Sequence, residues 1–111
     1  MELSERFRGY LPVVLDLETG GFDHLTNPIL ELACSFLHMQ DDQLLIKGQE
    51  SWNVEPAAGL VIEPASLKVT GIELDDPDRN ALDEAAVLKE FFSFVRAEMK
   101  HQGCHRAVIV A

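Results

Sequence analysis

The sequence predicts a mixed α/β fold on three observations. β-periodic stretches fill the first half of the chain, one long amphipathic helix pattern follows, and the chain then returns in a short, wholly apolar run. At 111 residues it makes one small domain with room for a real core. A hydrophobic content of 47% and a mean hydropathy of +0.02 fit a globular chain rather than a disordered one.

Residues 11–18 are an apolar run interrupted by two acids and closed by Thr19-Gly20-Gly21, which reads as a strand entering a loop through Phe22 to Pro28. Residues 29–38 and 44–54 read as two further strands, joined as an antiparallel hairpin across Gln40-Asp41-Asp42-Gln43, with Gly48 as a bulge position in the second. Over residues 64–70, Pro64 suits the first turn of a short helix and Gly71 its stop. The strongest helix pattern covers residues 81–100, where Leu88, Phe91, Phe92, Val95 and Met99 recur at helical spacing; Asn80 is the expected cap and Gly103 the expected end. The apolar run 107–111 suits a strand buried on both faces in a parallel part of the sheet. The expected order is a three-stranded antiparallel part, a long helix, and a fourth strand returning parallel to the first through a right-handed crossover. Because the chain stops inside that fourth strand, residues 1–111 are expected to be the N-terminal half of a domain.

A net charge of −10 argues against binding polyanions by bulk attraction, so any nucleic-acid contact must be local. Arg6 and Arg8 around Phe7, and Lys100 with Arg106, are the places where it could occur; the other reading of these charges is a solvated surface. No apolar stretch is long enough to span a bilayer, and the opening residues do not form a signal peptide. Cys34 and Cys104 match no metal or redox spacing, which reads as reduced thiols and a cytoplasmic location.

The chemistry concentrates at Asp16 and Glu18. Two apart on a strand, both carboxylates leave the same face about 7 Å apart, with Val14 on that face and Val13, Leu15 and Leu17 on the other. Acids crowded beside a core repel each other and lose hydration, a cost that a hard divalent cation such as Mg²⁺ offsets through oxygen ligands. Competing sites are weaker. His101 and His105 have the spacing of a helical zinc pair, but Gly103 interrupts them and no third ligand is evident. His24 reads as a surface-loop residue, and His38 carries no partner signal. A calcium loop over Asp76, Asp78 and Asn80 would put Ala81 at the required glycine and Val87 at the required glutamate.

The run VVLDLETGGFD, followed by ILELA, resembles the first motif of the DEDD-type 3′ to 5′ exonucleases, whose fold is ribonuclease H-like. Arg6-Phe7-Arg8-Gly9, Val54-Glu55-Pro56, Asp76-Pro77-Asp78-Arg79 and Gly103-Cys104-His105-Arg106-Ala107 extend the resemblance to the ribonuclease T family within that group. The resemblance implies an exoribonuclease that trims the 3′ ends of transfer RNA and other structured RNAs by two-metal hydrolysis, with two Mg²⁺ per complete site held in part by Asp16 and Glu18. It implies that Gly20 and Gly21 let backbone approach the terminal nucleotide, with Thr19 and Gly20 among the binding residues, and that Phe22 stacks on a base, although Phe22 also reads as a core residue closing the turn. Arg6, Arg8, Lys100 and Arg106 match basic positions that grip RNA for the partner subunit's site, which implies a homodimer. The family's second motif, His-Asn-x-x-Phe-Asp, and its third, with a histidine base and an aspartate, do not occur in these residues, so the chain alone is expected to be inactive. Val69 stands where the family offers an aromatic side chain, and Ala65 where it offers an acid, which puts the 3′-end base preference in question. A proofreading exonuclease acting on single-stranded DNA, and a non-catalytic binding or dimerisation module, are the alternative readings.

Overall fold

The computed structural model describes all 111 residues. Five strands, β1 (Tyr10–Thr19), β2 (Ile29–Gln40), β3 (Gln43–Glu55), β4 (Leu82–Asp83) and β5 (Arg106–Val110), join in one sheet of order β4-β3-β2-β1-β5. The helices are α1 (Leu3–Arg6), α2 (Pro64–Thr70) and α3 (Glu84–Gln102), with a 3₁₀ turn at Pro77–Arg79. The expected order of three strands, long helix and a strand parallel to the first is the one the chain forms.

The β2–β3 connection is a two-residue turn in which Asp41 and Asp42 both have positive φ, 53° and 60°. Two left-handed residues in succession match the twist of an antiparallel hairpin, and aspartate tolerates that region better than most side chains. β5 lies parallel to β1 in a register running from Tyr10↔Arg106 to Val14↔Val110. Parallel pairing is as expected, but burial on both faces is not found within these 111 residues: Val108, Ile109 and Val110 are exposed, and β5 has β1 as its neighbour. An apolar strand composition reports β-propensity and does not by itself distinguish a central strand from an edge.

The long helix also departs from its expected start. It begins at Glu84, because Leu82 and Asp83 form β4, parallel to β3 through Val54↔Leu82 and Glu55↔Asp83. Asp83, not Asn80, caps it, accepting a 2.7 Å hydrogen bond from the Ala86 amide. Asn80 instead adopts a left-handed conformation at the end of the 3₁₀ turn. At the other end, the Gly103 amide donates to the Lys100 carbonyl and the Cys104 amide to the Met99 carbonyl, a Schellman closure at the expected glycine. The buried stripe is Val87, Phe91 and Val95; Phe92 falls off it and is exposed.

Two compact units are distinguishable. One comprises residues 1–16, 33–50 and 89–111, with Leu3, Leu11, Val13, Phe36, Phe91 and Val95 in its core. The other comprises residues 17–32 and 51–88, with Leu30, Leu32, Val54 and Val87 in its core. Cys34 and Cys104 are unpaired and buried, and burial raises both thiol pKa values, which makes them poor nucleophiles.

Candidate active site and nucleic-acid interface

β1 changes character along its length. Leu11, Pro12 and Val13 are buried, whereas Asp16 is exposed and Glu18 half-buried as the strand runs out toward the glycine turn. Strand periodicity puts Val14, Asp16 and Glu18 on one face. Neither carboxylate is hydrogen-bonded to a side chain or paired with a lysine, arginine or histidine; the ion pairs of the chain are Met1 with Asp42 and Lys47 with Glu98. The pair therefore keeps its full lone-pair capacity for a ligand. No group of three or more His, Cys, Asp or Glu side chains comes together to hold a metal; β1 supplies two carboxylates, Asp16 and Glu18.

The loop after β1 is held by polar contacts. Thr19 Oγ1 donates to the Gly21 carbonyl at 2.7 Å. The Gly20 amide donates to the Pro28 carbonyl at 2.9 Å, and the Gly20 carbonyl accepts from the Glu63 amide at 2.7 Å, which ties the loop to the segment preceding α2. A Cβ on Gly21 would collide with the side-chain amide of Asn27, so glycine is required there by close approach.

Phe22 projects from this loop fully exposed and takes no part in the core of these 111 residues. It lines two clefts. One, of about 220 Å³, is bounded by Glu18, Thr19, Ala65, Ser66 and Val69; the other, of about 390 Å³, by Leu17, Asn27, Pro28, Leu60 and Glu84. A carboxylate, an exposed aromatic ring and an α2 face of small and apolar side chains thus border one recess.

The basic residues fall in the unit of residues 1–16, 33–50 and 89–111. α1 and the turn after it carry Arg6 and Arg8, and the Gly9 carbonyl accepts hydrogen bonds from the His105 and Arg106 amides at 3.0 and 3.4 Å. A Cβ on Gly9 would strike the His105 ring, so this glycine lets two distant segments of sequence meet. The contact brings the backbone of Arg8 beside that of Arg106, while Lys100 lies in the last turn of α3. All four cations are exposed and none is in an ion pair. His101 and His105 are not on one helix, since α3 ends at Gln102, so the helical zinc pair does not form. No helix is long and apolar enough to cross a membrane.

Asn27 and Arg79 carry the loop geometry, and periodicity gave no sign of them. Asn27 is 8% exposed and uses both ends of its amide. Arg79 donates through Nη2 to the carbonyls of Leu30 and Val54, at 2.7 and 2.9 Å. A buried polar residue leaves no periodic mark; the available signal was an asparagine immediately before a proline, at the mouth of a strand.

Ribonuclease T of Actinobacillus pleuropneumoniae is 46% identical over 110 residues, covering 98% of this chain and 50% of the relative. Ribonuclease T of Hahella chejuensis is 46% identical over 109 residues, covering 97% and 50%. The chain thus spans about half the length of these curated relatives. Among solved structures, E. coli exonuclease I in complex with a dT13 oligonucleotide superposes with a TM-score of 0.64 at 17% identity, over 90% of this chain and 20% of that one, a likeness that shows a shared, ribonuclease H-like fold. The family model described as exonuclease matches residues 13–111, from the strand that bears both carboxylates to the last residue, and the chain belongs to that exonuclease family.

Proposed function

We propose that this chain is part of a 3′ to 5′ exoribonuclease that trims the 3′ ends of transfer RNA and other structured RNAs, acting in the cytoplasm as a homodimer. The observation that carries this reading is the pair of unpartnered carboxylates on one face of β1, next to an exposed aromatic ring in a glycine turn. The identity to ribonuclease T supports it.

The donor set fits a hard divalent ion. Asp16 and Glu18 are oxygen ligands free of competing cations, which suits Mg²⁺ and not a soft metal. When bound, a pair of such ions stabilises the attacking and leaving oxygens of a phosphodiester undergoing hydrolysis. The chain's own residues then have separable tasks. Asp16 and Glu18 hold positive charge at the scissile phosphate. Thr19 and Gly20 fix the turn so that backbone can approach the terminal nucleotide, and Phe22 offers a face on which any base can stack. Arg6, Arg8, Lys100 and Arg106 meet phosphates of RNA held for the partner subunit's site, and so an acidic chain can bind RNA through a few local cations. Two carboxylates without further ligands or a base do not complete a hydrolytic centre, so the 111 residues alone are inactive in this reading.

The deciding experiment is Asp16→Asn in the full-length protein. The expected result is loss of 3′ trimming of single-stranded RNA by about a hundred- to a thousandfold, as for removal of an electrostatic catalytic group, with an unchanged circular dichroism spectrum. Near-normal trimming by the variant would refute the assignment. Running single-stranded DNA in parallel decides between the ribonuclease and a proofreading enzyme: faster DNA hydrolysis favours the latter.

A further inference from the structure

We infer that Asn27 is a positioning residue for the nucleotide-facing loop, a role that rests on the proposed function but is carried by a separate set of contacts. Its Oδ1 accepts from the Asp23 amide at 2.9 Å, and its Nδ2 donates to the Val61 carbonyl at 2.7 Å. Its own amide donates to the Asp23 carbonyl at 2.8 Å. One buried side chain therefore closes the loop on itself and fastens it to the segment that leads into α2.

The bonds around it run both ways. The Val61 amide donates to the Thr26 carbonyl and the Glu63 amide to the Gly20 carbonyl, both at 2.7 Å, so residues 20–28 and 61–63 are laced together with Asn27 as their one side-chain crosslink. Gly21, two residues after the turn begins and one before Phe22, packs against the same amide with no room for a Cβ. Both clefts that border Phe22 include Gly21, and one of them includes Asn27 itself. Phe22 is fully exposed and packs on nothing that would hold it, so the backbone that carries it must be fixed from behind. Asn27 is the residue in place to do so.

The loop has no regular secondary structure, and its stiffness depends on these few bonds. An alanine at position 27 leaves the Asp23 amide and the Val61 carbonyl without partners. The strand carrying Asp16 and Glu18 is untouched, so substrate affinity suffers while the chemical step does not.

The test uses the full-length protein with a fluorescein-labelled single-stranded RNA ten-mer and amide hydrogen exchange. Asn27→Ala is expected to raise KM or Kd about tenfold, the scale of one buried hydrogen bond, with kcat changed less than about twofold. Exchange at Gly20, Asp23, Val61 and Glu63 is expected to accelerate, with Leu11 and Val13 in β1 unaffected. Asn27→Asp keeps the acceptor for the Asp23 amide but sets a buried carboxylate oxygen against the Val61 carbonyl, so it is expected to lose at least as much affinity as Asn27→Ala. An unchanged KM, an equal loss of kcat, or uniform acceleration of exchange throughout the chain would overturn the inference. Should the wild-type protein bind no oligonucleotide, the nuclease reading fails by itself, and the exchange pattern still decides whether Asn27 holds the loop.

Discussion

The two compact units are held together by different kinds of interaction. In the unit of residues 1–16, 33–50 and 89–111, stability comes from apolar side chains with little or no exposure, such as Leu3, Leu11, Val13 and Phe91, and its one internal side-chain ion pair is Lys47 with Glu98. In the unit of residues 17–32 and 51–88, long stretches lie outside helices and strands, and side chains satisfy the backbone there: Asn27 at Val61, Asn53 at Arg79, Arg79 at Leu30 and Val54, and Asp76 at Asp78. A hydrophobic core fixes elements by area and tolerates exchange of one apolar side chain for another. Directed polar bonds fix a loop atom by atom, which suits a segment that presents a ring and a glycine turn to a ligand.

The sharpest way to break that contrast is at Arg79. Arg79→Met keeps an unbranched apolar stem while removing two charge-assisted bonds to the Leu30 and Val54 carbonyls, and it also removes Nη1, which is buried with no partner. The lost bonds cost more than the relief of one orphan nitrogen offsets, and the expected net destabilisation is about 2 kcal/mol. Urea denaturation should show a lower midpoint at constant slope. A midpoint unchanged within error would mean that polar straps are not what holds this unit.

The same contrast explains what was legible in the sequence. β1, the β2–β3 hairpin, α2 and the body of α3 follow from periodicity and from Pro64, Gly71 and Gly103, because an element that buries one face writes a period into its residues. β4 was hidden because two residues carry no period, and it moved the start of α3 and gave the cap to Asp83 in place of Asn80. β5 showed as a strand parallel to β1, but its exposure within these 111 residues did not, since Val108, Ile109 and Val110 are all apolar. At the candidate site, Asp16 and Glu18 stood out as acids breaking an apolar run. Asn27 did not, because a residue whose job is to satisfy backbone groups of its own loop looks like any other polar loop residue until partners are known.

A smaller effect is expected in the apolar unit. Lys47 Nζ lies 2.6 Å from Glu98 Oε1, and Gln102 Nε2 donates to the same oxygen at 2.7 Å while also bonding the Leu37 carbonyl at 2.8 Å. Burial alone would raise the Glu98 pKa, but the hydrogen bonds from Lys47 and Gln102 outweigh it and hold the carboxyl below its ordinary value. A carboxyl depressed in the folded state stabilises the fold above its unfolded pKa, and that contribution is lost as pH falls through the folded value. Because the pair is partly solvent-exposed, Glu98→Gln should cost less than about 1 kcal/mol at neutral pH. The gap between variant and wild type should narrow in acid, as the carboxyl of the parent protonates. A gap that persists or widens in acid, once the carboxyl is protonated, would show that shape rather than charge is what Glu98 contributes.

The smallest effect on stability separates holding a ring from using it. Phe22 is fully exposed, so Phe22→Ala removes no buried area and should leave the melting temperature unchanged, within about 0.5 kcal/mol of stability. If the ring is a stacking platform, the same substitution should weaken binding of a single-stranded oligonucleotide by about 1–3 kcal/mol, the scale of one base on one aromatic face. Asn27→Ala and Phe22→Ala then form a pair with opposite signatures in stability and a shared one in affinity: the first loosens the loop, the second leaves it intact and removes what the loop presents. Loss of stability without loss of affinity at Phe22 would reverse its assignment and make it a packing residue, despite its exposure.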